Sequence, residues 1–66
     1  METLGDAYPR ELTRVREVLA MYKEIGPGGL FGAAMIEATL RRADKAVIEG
    51  DTVAMIAIYQ ELKKIE

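Results

Sequence analysis

Glu37 is the carboxylate whose neighbours best suit it to acid–base chemistry. It stands between Ile36 and Ala38 in an apolar stretch, and a carboxyl group removed from water holds its proton more readily. Helical spacing, however, places Glu37 on the same face as Arg41 and Asp44. One carboxylate without a second of matched role is not a catalytic pair. We therefore expect Glu37 to form a surface ion pair with Arg41.

The segment Gly26-Pro27-Gly28-Gly29 precedes a predicted helix, and free N–H groups at a helix N-terminus attract anions such as phosphate. A phosphate-binding P-loop has Lys and then Ser or Thr after its glycines, whereas Leu30-Phe31-Gly32 stand there in this chain. We therefore predict a helix connector. Gly28 and Gly32 also form a small-xxx-small pattern. It predicts a close helix crossing within the chain or, alternatively, between two copies.

Arg41, Arg42 and Lys45 form the densest basic cluster of the chain and have the charge to contact nucleic-acid phosphates. Acidic residues interleave the cluster and cancel most of its field. These residues are Glu37, Asp44 and Glu49. The first turns of the predicted second and third helices are apolar and lack the side chains that read base edges. The sequence thus disfavours a nucleic-acid partner.

Ser, Asn, Cys, His and Trp do not occur anywhere in the chain. A Ser–His or Cys–His nucleophile, a thiolate metal site and a disulfide are therefore impossible. No other pattern points to a catalytic residue, a cofactor or a small-molecule substrate. The nine basic and eleven acidic residues give a net charge of −2 and form no charged tail. We predict a protein that is not an enzyme and that holds no metal or cofactor.

The apolar spacing predicts a first helix over about residues 8–25. Tyr8-Pro9 predicts its start, because proline is tolerated at the first helical position, and Gly26 predicts its end. Apolar residues at helical spacing form its predicted buried stripe. They are Tyr8, Leu12, Val15, Val18, Leu19, Tyr22 and Ile25. The charged residues of the opposite, solvent-facing side are Arg10, Arg14, Glu17 and Glu24.

A second helix is predicted over about residues 30–49 and a third over about 52–65. Gly50 suits the C-terminal cap of the second helix, and Asp51 suits the N-cap of the third. So short a connection makes the two helices a tight antiparallel hairpin. The predicted buried residues are Ile36, Leu40, Ala43 and Val47 in the second helix and Met55, Ile58, Tyr59, Leu62 and Ile65 in the third.

The fold predicted from these elements is a small all-α three-helix bundle in a single domain, residues 1–66. A chain of this length buries only about 60% of the surface that its unfolded form exposes. Because neither a disulfide nor a metal is available to staple so small a core, helix packing or association must stabilise it.

Two features of the sequence bear on location. The N-terminus has Glu2 and Asp6 where a signal peptide would be basic. The longest uncharged stretch, residues 25–36, is broken by Pro27 and glycines and is too short to span a bilayer. We expect a cytoplasmic protein without a membrane partner.

The chain has more large apolar residues than one face of each helix can bury. If Ile58 and Leu62 face the core, then Val53 and Ile56 point elsewhere. The same geometry turns Leu30 or Phe31 away from the core. A joined patch of exposed apolar side chains is typical of a binding surface. The predicted interaction surface therefore comprises Leu30, Phe31, Val53 and Ile56.

The stretch from Ile25 to Met55 resembles short helical proteins that bacterial prophages and mobile elements encode. The resemblance covers about half of the chain. It rests on Gly26-Pro27, Phe31, Met35-Ile36-Glu37, Leu40-Arg41, Ala43, Gly50-Asp51 and Val53. It implies a bacterial or phage origin and an accessory, non-catalytic role, and it assigns no functional residue.

The leading hypothesis is a small protein-interaction module that binds another protein or, through its apolar surface, forms a homodimer. The first alternative is a nucleic-acid-associated regulator that becomes sufficiently basic only as a dimer. The second is an enzyme that uses carboxylates alone.

Overall fold

The computed structural model describes residues 2–66. Within them the chain forms helices α1 (Leu4–Glu24), α2 (Leu30–Glu49) and α3 (Thr52–Lys63), with a 3₁₀ turn at Pro27–Gly29 between the first two. These residues contain no strand, and each helix packs against the other two. The predicted all-α three-helix bundle is confirmed, and α2 has the predicted bounds.

Helix α1 begins at Leu4 rather than at Tyr8, so Pro9 lies inside the helix and not at its first position. The missing N–H of Pro9 leaves one carbonyl of the preceding turn without its helical partner. The Asp6 carboxylate stabilises this additional turn, since it accepts hydrogen bonds from the Thr3 backbone N–H at 3.4 Å and from the Thr3 hydroxyl at 3.0 Å. Burial of Ala7 and Tyr8 holds the turn against the bundle.

The connection between α2 and α3 has the predicted chemistry. Gly50 adopts the left-handed conformation, with φ of 65°, and its N–H donates to the last turn of α2. The Asp51 backbone N–H donates to the Ala46 carbonyl at 2.9 Å, and the Asp51 carboxylate accepts from the Ala54 N–H at 3.0 Å as the N-cap of α3. The two helices therefore form the tight antiparallel hairpin.

The core lies where the three helices meet. Its buried residues are Ala7, Tyr8, Leu12, Val15, Val18, Ala33, Ile36, Leu40, Ala43, Ala46, Ile58 and Leu62. The Tyr8 hydroxyl reaches across it and donates to the Ala43 carbonyl at 2.9 Å. The predictions for Ile25 and Val47 are wrong, because both side chains are more than half exposed. Ile25 follows the end of α1, and Ala46 takes the inward position beside α3.

Helices α1 and α2 approach most closely where Tyr22 meets two glycines. A Cβ atom on Gly32 would lie 2.5 Å from the Tyr22 ring, and one on Gly29 would lie 2.1 Å from the Tyr22 carbonyl oxygen. A Cβ atom on Gly28 would make an ordinary van der Waals contact with the Ile25 side chain at 3.9 Å. The small residues therefore serve a crossing within the chain, but the close pair is Gly29 and Gly32 rather than Gly28 and Gly32.

Arg14 was predicted on the solvent-facing side of α1, and this prediction is wrong. Its guanidinium donates to the Leu62 carbonyl at 2.7 Å and to the Ile65 carbonyl at 2.8 Å. The Nε–H group of Arg14 also donates to the Glu11 carboxylate at 2.7 Å. The last carbonyls of a helix lack intrahelical partners. Arg14 therefore caps α3, which ends at Lys63, two residues before the predicted end.

We expect Gly29→Ala to lower the free energy of unfolding by about 1–3 kcal/mol, because the added methyl group meets backbone that cannot move aside. The matched control is Gly28→Ala, where the added methyl group makes only an ordinary contact and the restricted unfolded chain should leave stability unchanged or raise it by up to about 1 kcal/mol. Urea denaturation followed by circular dichroism measures both. Equal effects of the two substitutions would contradict the close approach.

Replacing Arg14 by Gln should cost about 1–2 kcal/mol, because the carbonyls of Leu62 and Ile65 lose a charged donor at a partly exposed site. Arg16→Gln is the control, since Arg16 makes a single exposed contact with Asp44 at 3.4 Å and should contribute less than about 0.5 kcal/mol. Thermal unfolding of both variants distinguishes them. An Arg14 variant as stable as the Arg16 variant would refute the capping role.

Candidate interaction surface

All four residues of the predicted interaction surface are exposed. Phe31 and Val53 are each 80% exposed, Leu30 is 59% exposed and Ile56 is 50% exposed. None of them contributes to the buried core. Their exposure is what a contact surface requires, although it does not by itself make them one patch.

The structure does not bring the four residues together. Val53 and Ile56 are neighbours on α3 at i,i+3 spacing, whereas Leu30 and Phe31 are successive residues that point about 100° apart around α2. Because the hairpin is antiparallel, Val53 lies beside the last turn of α2 and Phe31 lies in its first. The two ends are about 25 Å apart along the helix axis. The predicted surface is therefore at least two separate apolar areas.

Sequence reasoning missed exposed apolar residues that extend these areas. Met35, which is 59% exposed, follows Phe31 at i+4 on the same stripe of α2. Ile48 is 84% exposed and stands among the polar side chains of Asp44 and Lys45. The sequence could have indicated this exposure, because Ile48 follows Asp44 at i+4 and Lys45 at i+3 and so lies on their polar face of α2. Met21 and Ile25 are exposed at the end of α1.

An open cleft of about 280 Å³ lies between the C-terminal half of α2 and the N-terminal half of α3. Small side chains from both helices line it, and we call it the alanine cleft. Charged residues of α2 form its rim. The lining residues are Arg42, Lys45, Ala46, Glu49, Ala54, Ala57 and Ile58. Four of the seven lining residues are apolar, three of them alanines, and the other three are charged. A protruding apolar side chain can therefore enter between the small apolar walls while its edge lies against charged groups.

Arg42, on the rim of the cleft, binds Glu61 of α3 through two parallel hydrogen bonds of 2.9 Å each. These hydrogen bonds are the main cause that lowers the pKa of the Glu61 carboxyl group below its ordinary value of 4.5. Partial burial opposes this shift, and the charges of Arg42 and then Lys64 lower the pKa further. The pair joins the two arms of the hairpin and fixes one edge of the cleft.

Two further basic side chains are tied to carboxylates on a neighbouring helix. Lys23 of α1 pairs with Glu37 at 2.9 Å, and Arg16 pairs with Asp44 at 3.4 Å. Glu37 is thus a surface ion-pair residue, but its partner is Lys23 and not the predicted Arg41. These pairs connect α1 to α2. Of the predicted basic cluster Arg41, Arg42 and Lys45, Arg42 is held by a carboxylate.

The described residues offer little reactive chemistry. Residues 2–66 contain no group of three or more Asp or Glu side chains arranged to hold a metal ion. Burial raises the pKa of the Tyr8 phenol, and the nearby Asp44 raises it further. The phenol therefore stays protonated and donates to the Ala43 carbonyl as a structural group.

No protein-family model, curated protein or solved structure matches the chain. Among residues 2–66, no helix combines the length and the apolar content needed to cross a bilayer.

The lowered pKa of Glu61 predicts a pH dependence of stability. Because the folded-state value lies below the ordinary one, ionised Glu61 stabilises the fold above about pH 4.5, and this contribution is lost as the pH falls through the lowered value. Glu61→Gln should therefore be less stable at pH 7 and lose less stability on acidification. Glu24→Gln, on the exposed side of α1, is the control. Identical acid profiles for wild type and Glu61→Gln would contradict the role of the Arg42 pair.

Proposed function

We propose that the protein is a non-enzymatic interaction module that self-associates through an apolar helical surface. The observation that supports this most directly is the exposure of large apolar side chains. In residues 2–66, nine of them are at least half exposed. They are Met21, Ile25, Leu30, Phe31, Met35, Val47, Ile48, Val53 and Ile56. Eight large side chains form the buried core beside the alanines, namely Tyr8, Leu12, Val15, Val18, Ile36, Leu40, Ile58 and Leu62.

The shape of the molecule supports the same proposal. Its accessible surface is 4577 Å², compared with about 4,200 Å² for a compact monomer of this mass. Its radius of gyration is 12.3 Å, compared with about 11 Å for a compact chain of this length. The Cα atoms extend over 37 × 24 × 16 Å. A flat chain of this kind has a broad face and a thin core.

The energetics favour covering that face. A domain of this size without a staple gains no more than about 3–5 kcal/mol from its own core. Burial of one exposed side chain such as Phe31 or Val53 contributes roughly 1.5–3 kcal/mol. In a two-fold dimer each contact occurs twice, so a few such residues would contribute as much as the whole core.

The alternative of a nucleic-acid-associated regulator receives less support. Arg16, Lys23 and Arg42 are each paired with a carboxylate, so a phosphate would have to displace an existing partner.

Self-association is tested by sedimentation equilibrium of the wild type across the micromolar to millimolar range. We expect the mass of a dimer. The double variant Val53→Lys with Ile56→Lys should keep the helical spectrum, because both side chains are exposed, and should weaken the dimer about tenfold or more.

The control for added charge is Thr13→Lys with Ala20→Lys, which adds the same two charges to the exposed outer side of α1. This variant should associate as the wild type does. A wild type that remains monomeric throughout the concentration range would overturn the proposal. Loss of the fold in the Val53 and Ile56 variant would instead assign those residues to the core.

A further inference from the structure

One stripe of α2 connects the apolar end of the hairpin to the alanine cleft. Phe31 and Glu49 are separated by 18 residues, which is five turns of an α-helix, so they have the same angular position. Residues at alternating i+4 and i+3 spacing fill the stripe between them. The stripe comprises Phe31, Met35, Ala38, Arg42, Lys45 and Glu49. Its last three members form the rim of the cleft.

The two ends of this stripe have complementary shapes. At one end Phe31, 80% exposed, and Met35, 59% exposed, project from the surface. At the other end Ala46, Ala54 and Ala57 leave a cleft of about 280 Å³. Phe31 lies about 21 Å from Lys45 along the helix axis, so it cannot reach the cleft of its own chain. A projection and a recess on one face at this separation fit each other only between two molecules.

We propose that the alanine cleft is the binding site for Phe31 of a second copy of this chain, in a two-fold dimer whose α2 helices pack antiparallel. This inference rests on the proposed self-association and names its site. The partner's Phe31 enters between α2 and α3 beside Ala57, while the Phe31 of the first chain enters the partner's cleft. Each cleft is therefore completed only by the other chain.

The position of the symmetry axis supports this arrangement. The midpoint between Phe31 and Lys45 is Ala38, whose small side chain lets two α2 backbones approach closely. Ala38 is also near the middle of α2, Leu30–Glu49, so the two hairpins overlap along nearly their whole length. A two-fold axis at Ala38 places Phe31 of one chain at the level of Lys45 and Ala57 of the other.

The charged rim of the cleft and the size of the broad side of the molecule also suit a second copy of the chain. The rim side chains Arg42 and Lys45 would lie against the aromatic ring of the incoming Phe31, a contact that attracts a cation to the face of the ring. The broad side of the molecule measures 37 by 24 Å between Cα atoms, which matches the roughly 800 Å² that each partner contributes to a standard interface.

The chain has no cysteine, which makes disulfide trapping a direct test. The two single variants Phe31→Cys and Ala57→Cys, both at exposed positions of the monomer, are mixed in equal amounts and oxidised. We expect a cross-linked dimer that contains one chain of each variant. Neither variant should cross-link by itself, because the axis holds each position far from its own copy.

The matched control is a mixture of Phe31→Cys with Ile48→Cys. Ile48 is 84% exposed but lies about 100° around α2 from the stripe, so this mixture should give no specific heterodimer. In a second measurement, Phe31→Ala should raise the dimer dissociation constant about tenfold or more, whereas Met21→Ala on α1 should leave it unchanged. Circular dichroism checks that every variant folds.

The outcomes separate this inference from the proposed function. A dimeric wild type without the Phe31–Ala57 cross-link, or with unchanged affinity in Phe31→Ala, would overturn the cleft as the site and leave self-association intact. A monomeric wild type would overturn both. Cross-linking of Phe31→Cys to itself would replace the antiparallel arrangement by one with the two Phe31 ends together.

Discussion

The packing of α1 against both other helices is the interaction on which the rest of the fold depends. Tyr8, Val15 and Leu12 supply the buried stripe between α2 and α3, and isolated helices of this length are only marginally stable in water. The polar contacts of α1 secure the same arrangement: the Tyr8 hydroxyl donates to the Ala43 carbonyl, and Arg14 caps the end of α3. Without α1, the apolar face of the α2–α3 hairpin that α1 covers would be open to water.

The close approach of α1 also determines which residues of α2 face water. Since Tyr22 occupies the space above Gly29 and Gly32, a side chain at either position would meet it. The bulky neighbours Phe31 and Met35 consequently point outward. This end of α2 thus reverses the usual amphipathic arrangement, and the projecting side chains are a direct consequence of the tight crossing.

Local patterns made much of the fold predictable and left the contacts between helices unpredicted. Gly50 and Asp51 define the hairpin because capping depends on adjacent residues alone. Apolar periodicity does not reveal that α1 begins before Pro9. The extra turn forms because the capping contacts of Thr3 and Asp6 offset the hydrogen bond that a proline inside a helix loses. The bonds of Arg14 to α3 join residues 48 and 51 positions apart, and no local pattern contains them. The alanine cleft likewise could not be predicted, because it is formed by side chains of two helices and no local pattern contains both sets.

The reversed pattern of α2 links the packing of the chain to its proposed use. In a monomer, small residues turned inward reduce the buried apolar area, and large residues turned outward gain nothing from water. A thin core of this kind, with no disulfide or metal to supplement it, gives little stability of its own. In the proposed dimer this balance would change, because the same outward side chains would become buried in a recess lined by Ala54 and Ala57. The tight crossing that reduces the core of one chain would therefore provide the contact surface of the proposed dimer.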